Sequence, residues 1–269
     1  MDTGYASHPI SCHDLIFQSV VTYGFVVDGH LHRLRLKNSL ERLIVVHQWN
    51  ILGSRIGKGP QGVFEYRVPS AFNDEVEPFT FDSQVLSTPL SDHFRIPNAT
   101  ADPAIFTPSS ATIFQPLAHL RRDCLSEYES SSQPILHLQI IQFADEKTAV
   151  GLTVPRCFCD VWGMKKILSA WSSILASGEI TANIPVLVED TMILEKLQPE
   201  IASQIRNHFH PTQLPADTSA DEERENIPRW LFMPAETLAK LTRECKAELG
   251  SESDKVNETD VLLAWWAKV

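Results

Sequence analysis

The chain has 269 residues, 43% hydrophobic and 21% charged, with 23 Lys and Arg against 34 Asp and Glu and a formal net charge of -11. That length suffices for one large domain or two, burying about three quarters of the unfolded surface, and the composition is ordinary for a globular protein. The acidic balance and the lack of Lys or Arg clusters exclude nucleic acid as a partner; no apolar run reaches the ~18 residues of a membrane span, and residues 1–14 lack the basic and apolar regions of a leader, so a cytoplasmic location is expected.

In chain order, residues 19–27 are predicted as a strand, Asp28 and Gly29 as a turn, and residues 31–46 as a helix with Leu36, Leu40, Leu43 and Ile44 on one face. The stretch Gly53 to Gly59 superficially resembles a phosphate loop. Such a loop needs four residues between its glycines, a hydroxyl after the lysine, and a turn leading from strand into helix. Here three residues separate Gly53 from Gly57, Gly59 follows Lys58, and strand-like residues 63–68 come next, so a hairpin turn is predicted. A helix is predicted from near Pro116, carrying His119.

Residues 135–143 and 148–154 are β-rich runs around a polar turn at Asp145 and Lys147, the pattern of a β-hairpin. Pro155 is expected to end the second strand because it cannot donate to a ladder. Beyond it, Met164, Ile167, Leu168, Trp171, Ile174 and Leu175 recur at the spacing of a helix packed on one side. The loop 156–163 thus lies between a strand end and a helix start, a common place for site residues.

Residues 212–227 lack any hydrophobic period and carry Asp217, Asp221, Glu222, Glu223 and Glu225, the character of a solvated linker. Residues 228–241 then read as strand followed by helix. Asn257 is placed as the N-cap, with Asp260 in the first turn, of a helix built on Val261, Leu262, Trp265 and Trp266.

The five cysteines, Cys12, Cys124, Cys157, Cys159 and Cys245, are odd in number and scattered, so reduced thiols are expected. Cys157 and Cys159 lack the second close pair or neighbouring His that zinc requires, and no metal is expected. Among the histidines, His30, His32, His208 and His210 read as surface or satisfied groups. His137 is the one to watch as a base, because its strand pairs with residues 148–154.

Taken in order, these segments resemble the BAHD acyl-CoA-dependent acyltransferases. Residues 150–163 are similar to the family segment in which a strand ends in an H-x-x-x-D motif, with Arg156 at the His position and Asp160 at the Asp position. The strand, turn and L-x-x-S-L-x-x-L helix of residues 19–46, the segment 49–56 around Trp49, Gly53 and Arg55, and the residues Asp260, Leu262 and Ala264 look like further family segments, and the likeness runs over nearly the whole chain. It implies a filamentous-fungal member with an α/β fold, a chloramphenicol acetyltransferase-like mixed sheet flanked by helices. The implied division is an N-terminal domain over 1–209, an acidic crossover over 210–228, and the opening elements of an incomplete second domain over 229–269. By the same likeness the chain, which stops at Val269 inside a helical pattern, is expected to be either truncated or a half-length relative, without a second half that carries a D-F-G-W-G segment and much of the coenzyme A tunnel.

The resemblance implies acyl-CoA as co-substrate, no bound cofactor, and a small-molecule acceptor. In the family the motif His takes the proton from the acceptor as it attacks the thioester, a general-base step worth about 10² to 10⁴-fold. Arg156 is not a competent base, since a guanidinium stays protonated and has no acceptor lone pair. It is expected to pair with Asp160, the alternative being an anionic ligand, while Asp160 fixes the loop. Three functions remain open: an acyltransferase of specialised metabolism, impaired by Arg156 and by truncation; a non-catalytic BAHD-derived binding or partner-interaction protein; and an unrelated interaction protein. An apolar face left uncovered by a missing half implies self-association or a partner subunit.

Overall fold

The computed structural model describes residues 4–11, 13–17, 19–45, 49–59, 62–95, 102–107, 111–117, 120–122, 124–177, 230–250 and 256–266. The acidic segment 212–227, the domain boundaries at 209, 210 and 228, Cys12, His119, His208 and His210 lie outside them. The chain divides into two units, Met1–Leu90 with Ala111–Asp217, and Ser91–Ser110 with Thr218–Val269. In chain order the elements are β1 (Tyr5–Pro9), β2 (Val20–Asp28), α1 (Arg33–Val45), β3 (Arg55–Lys58), β4 (Phe64–Pro69), β5 (Thr80–Val85), β6 (Ala104–Phe106), α2 (Leu125–Ser131), β7 (His137–Gln142), β8 (Lys147–Pro155), α3 (Val161–Ser177), β9 (Trp230–Phe232), α4 (Ala235–Leu249) and α5 (Glu258–Trp266).

The predicted hairpin is β7 and β8, antiparallel, with Leu138 opposite Leu152 and Ile140 opposite Val150. It forms the middle of a four-stranded sheet of order β2-β8-β7-β5, in which β2 runs antiparallel to β8 and β5 parallel to β7. Being covered on both faces explains why β8 reads as an almost unbroken apolar run. On one face Leu138, Ile140, Val150, Leu152 and Val154 pack with Leu36, Leu40, Leu43 and Ile44 of α1 and with Met164, Ile167, Trp171 and Ile174 of α3. The buried Trp171 Nε1 donates to Ser39 Oγ at 2.7 Å, and Ser39 Oγ donates to the Leu36 carbonyl at 2.8 Å, so the indole is satisfied where it packs. His30 and His32 are exposed and hydrogen-bonded, as the surface-or-satisfied reading expects: His32 Nδ1 accepts the Arg35 N–H at 3.2 Å at the start of α1, and His30 Nε2 lies 2.9 Å from the Phe143 carbonyl, to which it donates.

On the opposite face the cross-strand partners Gly24 and Gly151 form a flat window. The Phe114 ring lies against Gly24 and the Phe114 carbonyl against Gly151, each closer than a Cβ would allow. The helix predicted from near Pro116 is not found among the described residues. Residues 111–114 instead form a 3-10 turn seated on the glycines, and Pro116 and Leu117 are irregular.

A second sheet of order β1-β4-β3 packs beside α2, with Ile10, Ile56, Phe64, Tyr66, Val68, Leu125, Tyr128, Ile135 and Cys157 in its core. The β3–β4 hairpin confirms the turn reading of the glycine-rich stretch, and Gly59 N–H donates to the Val63 carbonyl at 2.8 Å. In the other unit, β6 pairs antiparallel with β9. The predicted cap of α5 is present as a reciprocal box: Asn257 Oδ1 accepts the Thr259 N–H at 2.8 Å, and Asn257 N–H donates to Asp260 Oδ2 at 2.9 Å. Among the described residues no helix is long and apolar enough to cross a membrane.

Candidate active site

β8 ends at Pro155, and the chain turns through residues 156–158 before α3 begins at Val161, earlier than the Met164 that its apolar stripe suggested. The early start comes from Asp160. Its Oδ1 accepts the Gly163 N–H at 2.8 Å, and its carbonyl accepts the Met164 N–H at 2.9 Å, so Asp160 is the N-cap of α3 and sets a negative charge against the positive end of the helix. Gly163 is needed here because a Cβ would come within 2.7 Å of Cys159 Cβ.

The expected Arg156–Asp160 ion pair is not formed among the described residues. The carboxylate is drawn to the helix end, and the guanidinium of Arg156 instead lies over the Phe17 ring, 5.5 Å from its centroid. It also sits beside the Tyr23 hydroxyl. Burial pushes that phenol up and the Cys159 thiol adds to the rise, while the Arg156 charge and its hydrogen bond oppose it. Tyr23 therefore stays protonated at neutral pH.

A cavity of about 710 Å³ opens at this strand end, and its lining includes His8, His13, Phe17, Arg156, Asp160 and Lys166. Its two thiols are chemically quiet. Cys157 is buried, which pushes it up to about 12, and Tyr66 Oη donates to the Cys157 carbonyl at 3.1 Å. Burial and the charge of Asp160 likewise push Cys159 up to about 12. Neither is a thiolate that would attack a carbonyl at neutral pH, and no three His, Cys, Asp or Glu side chains among the described residues are grouped to hold a metal.

His137 does not line the cavity. It is 3% exposed, and its Nδ1 lies 2.7 Å from Thr80 Oγ1 on β5. Burial pushes it down to about 4, against the opposing pull of Gln139 and Asp82. An unfolded His titrates near 6.5, so protons favour the unfolded chain: the neutral imidazole contributes fully above pH ~6.5, and its contribution is lost as the pH falls from there through 4, by about 3 kcal/mol in all. Urea denaturation between pH 7 and 4.5 is expected to show this loss in the native chain and a flatter profile in His137→Gln. Equal slopes would place the acid sensitivity elsewhere.

The site thus unites Arg156 and Asp160 from the predicted loop with residues the sequence reading missed. Lys166 was within reach, since a helix starting at Val161 puts residues 162, 163 and 166 on one side. His13, Phe17 and Tyr23 come from a segment more than a hundred positions upstream, with no local signal linking them to residue 156.

The profile described as "Transferase family" matches residues 114–265, which include the strand end, Arg156, Asp160 and α3. The chain belongs to this family, the BAHD-type acyltransferases. It is 28% identical over 277 residues to acetyltransferase adrJ of Penicillium roqueforti, covering 93% of this chain and 54% of that protein. It is 25% identical to acetyltransferase pyiB of Pyricularia grisea, covering 94% and 52%. The chain therefore spans about half the length of the curated relatives it matches. Among solved structures, F. sporotrichioides TRI101 complexed with coenzyme A and T-2 superposes with a TM-score of 0.44 at 11% identity, over 65% of this chain and 42% of that one.

Proposed function

We propose that the chain serves acyl transfer from an acyl-CoA to a hydroxyl or amine of a small secondary metabolite, with the cavity at the end of β8 as the reaction site and Arg156 depressing its rate. The observation that carries this reading is the loop itself: within the family-matched span, a strand end and an Asp160-capped helix hold residue 156 at the wall of a cavity of about 710 Å³. The names of the relatives favour an acetyl donor. In this reading Asp160 holds the loop and touches no substrate, and the protein works in the cytoplasm. The test is acceptor-dependent release of coenzyme A from acetyl-CoA over a panel of alcohols and amines. Release that ignores the acceptor would sink the reading.

A second reading, a non-catalytic binding protein derived from the family, is favoured by one specific observation. Arg156, Tyr23, Cys157 and Cys159 around the loop are all protonated at neutral pH. In either reading Val161 and Trp162, 62% and 68% exposed on the first turn of α3, form an apolar projection suited to a second chain. Sedimentation velocity is expected to show concentration-dependent association, weakened by Trp162→Ser. A monomer at every concentration would count against it.

A further inference from the structure

We propose that the cavity at the end of β8 recognises an oxyanion, a carboxylate or a phosphate carried by a small molecule, through Arg156 and Lys166. This deepens the functional reading by naming a substrate class, and it rests on that reading only for the cavity's being a ligand site.

The argument begins with how Arg156 is held. Its guanidinium lies over the ring of Phe17, a residue itself 43% exposed, and among the described residues it has no ion pair with a carboxylate. Stacking occupies a face of the planar group and Tyr23 takes one of its in-plane hydrogen bonds, while the remaining N–H groups of the fork lie in the plane, in the geometry that matches a carboxylate or phosphate. A half-buried guanidinium without an anion is costly, and an incoming oxyanion would relieve that cost.

Lys166 supplies the second charge. It lines the same cavity from α3, one turn beyond Trp162, and has no ion pair among the described residues. The cavity also contains two carboxylates. Asp160 has one oxygen committed to the Gly163 N–H, and the charge of Asp14 is felt by the buried Tyr66 and Cys157. His8 and His13 complete the ionisable lining and add donors to an incoming anion. The Phe17 and Trp162 side chains at the lining favour an anion with an aromatic or apolar body.

The test is calorimetric titration of the whole chain with benzoate, phenyl phosphate and, as neutral control, benzamide, so that absence of acyl transfer and absence of binding are separate results. Benzoate or phenyl phosphate is expected to bind and benzamide not. Preference for benzoate assigns a carboxylate ligand; preference for phenyl phosphate assigns a phosphate. Arg156→Gln is expected to weaken binding at least about tenfold, the loss of a charge-assisted pair. Arg156→Lys should be intermediate, and Lys166→Ala should cost a few-fold. If Arg156→Gln fails to fold by circular dichroism, Arg156→Lys and Lys166→Ala carry the reading. Binding of neither anion, equal binding of benzamide, or affinities unchanged in the folded variants would overturn the proposal.

Discussion

Arg156→His is expected to raise acceptor-dependent acyl transfer by about 10² to 10⁴-fold, the usual worth of a positioned general base. The position is already built for one. Residue 156 follows the last residue of β8, its N–H is held by the Ser19 carbonyl at 2.8 Å, and the Asp160 cap that shapes the loop does not involve the residue 156 side chain. An imidazole there has the acceptor lone pair that a guanidinium lacks. Tyr23, Cys157 and Cys159 do not substitute for it, because burial keeps all three protonated. The sign with pH follows: a His base works only when neutral, so the gain should grow as the pH rises through about 6.5 and shrink below it. The assay is coenzyme A release at pH 7.5 and 5.5 for both proteins. No gain at either pH would show that the missing base is not what limits the chain, and would favour the non-catalytic reading.

Gly151→Ala is expected to destabilise the fold by about 3 kcal/mol, the upper part of the range for overpacking. Gly151 lies in the central strand β8 opposite Gly24, and the group its Cβ would strike is the main-chain carbonyl of Phe114. A backbone group cannot rotate aside. The 3-10 turn would have to lift from the sheet, taking with it the buried Ile113 and Phe114. Gly57→Ala is the internal comparison, since its Cβ would meet only the guanidinium end of Arg67, a flexible side chain. Urea denaturation should therefore separate the two variants by well over about 1 kcal/mol. Similar losses at both sites would mean that the turn over Gly151 moves as easily as a surface arginine.

Much of the fold was legible where a segment buries one face over several turns or a whole strand pair. Leu36, Leu40 and Leu43 announced α1, Met164 to Leu175 announced α3, and the two runs around Asp145 announced the β7–β8 hairpin, because period and burial coincide there. The glycine-rich stretch at Gly57 and Gly59 was read as a turn from its spacing, the missing hydroxyl after Lys58 and the strand-like run that follows, and Asn257 as a cap from its place before an apolar run. Short edges were not legible. β1 is exposed along its length, β6 has three residues, and β5 joins the sheet through a parallel partner far along the chain, so none of them carries a period of its own.

At the site, the sequence by itself determined the loop: a strand end, a helix start, an arginine where the family resemblance puts the motif His, and an aspartate four places on. Those are matters of residue type and local spacing. Only the tertiary structure decided what these side chains do, because each answer depends on groups brought from elsewhere. Spacing suggested that Arg156 and Asp160 would pair. Instead the free N–H groups at the start of α3 claim the carboxylate, and Phe17 and Tyr23, more than 130 residues upstream, receive the guanidinium. In the same way Phe114 is held in a 3-10 turn by glycines of two strands that are adjacent only in the folded sheet, a contact between main chains that no pattern of apolar side chains records.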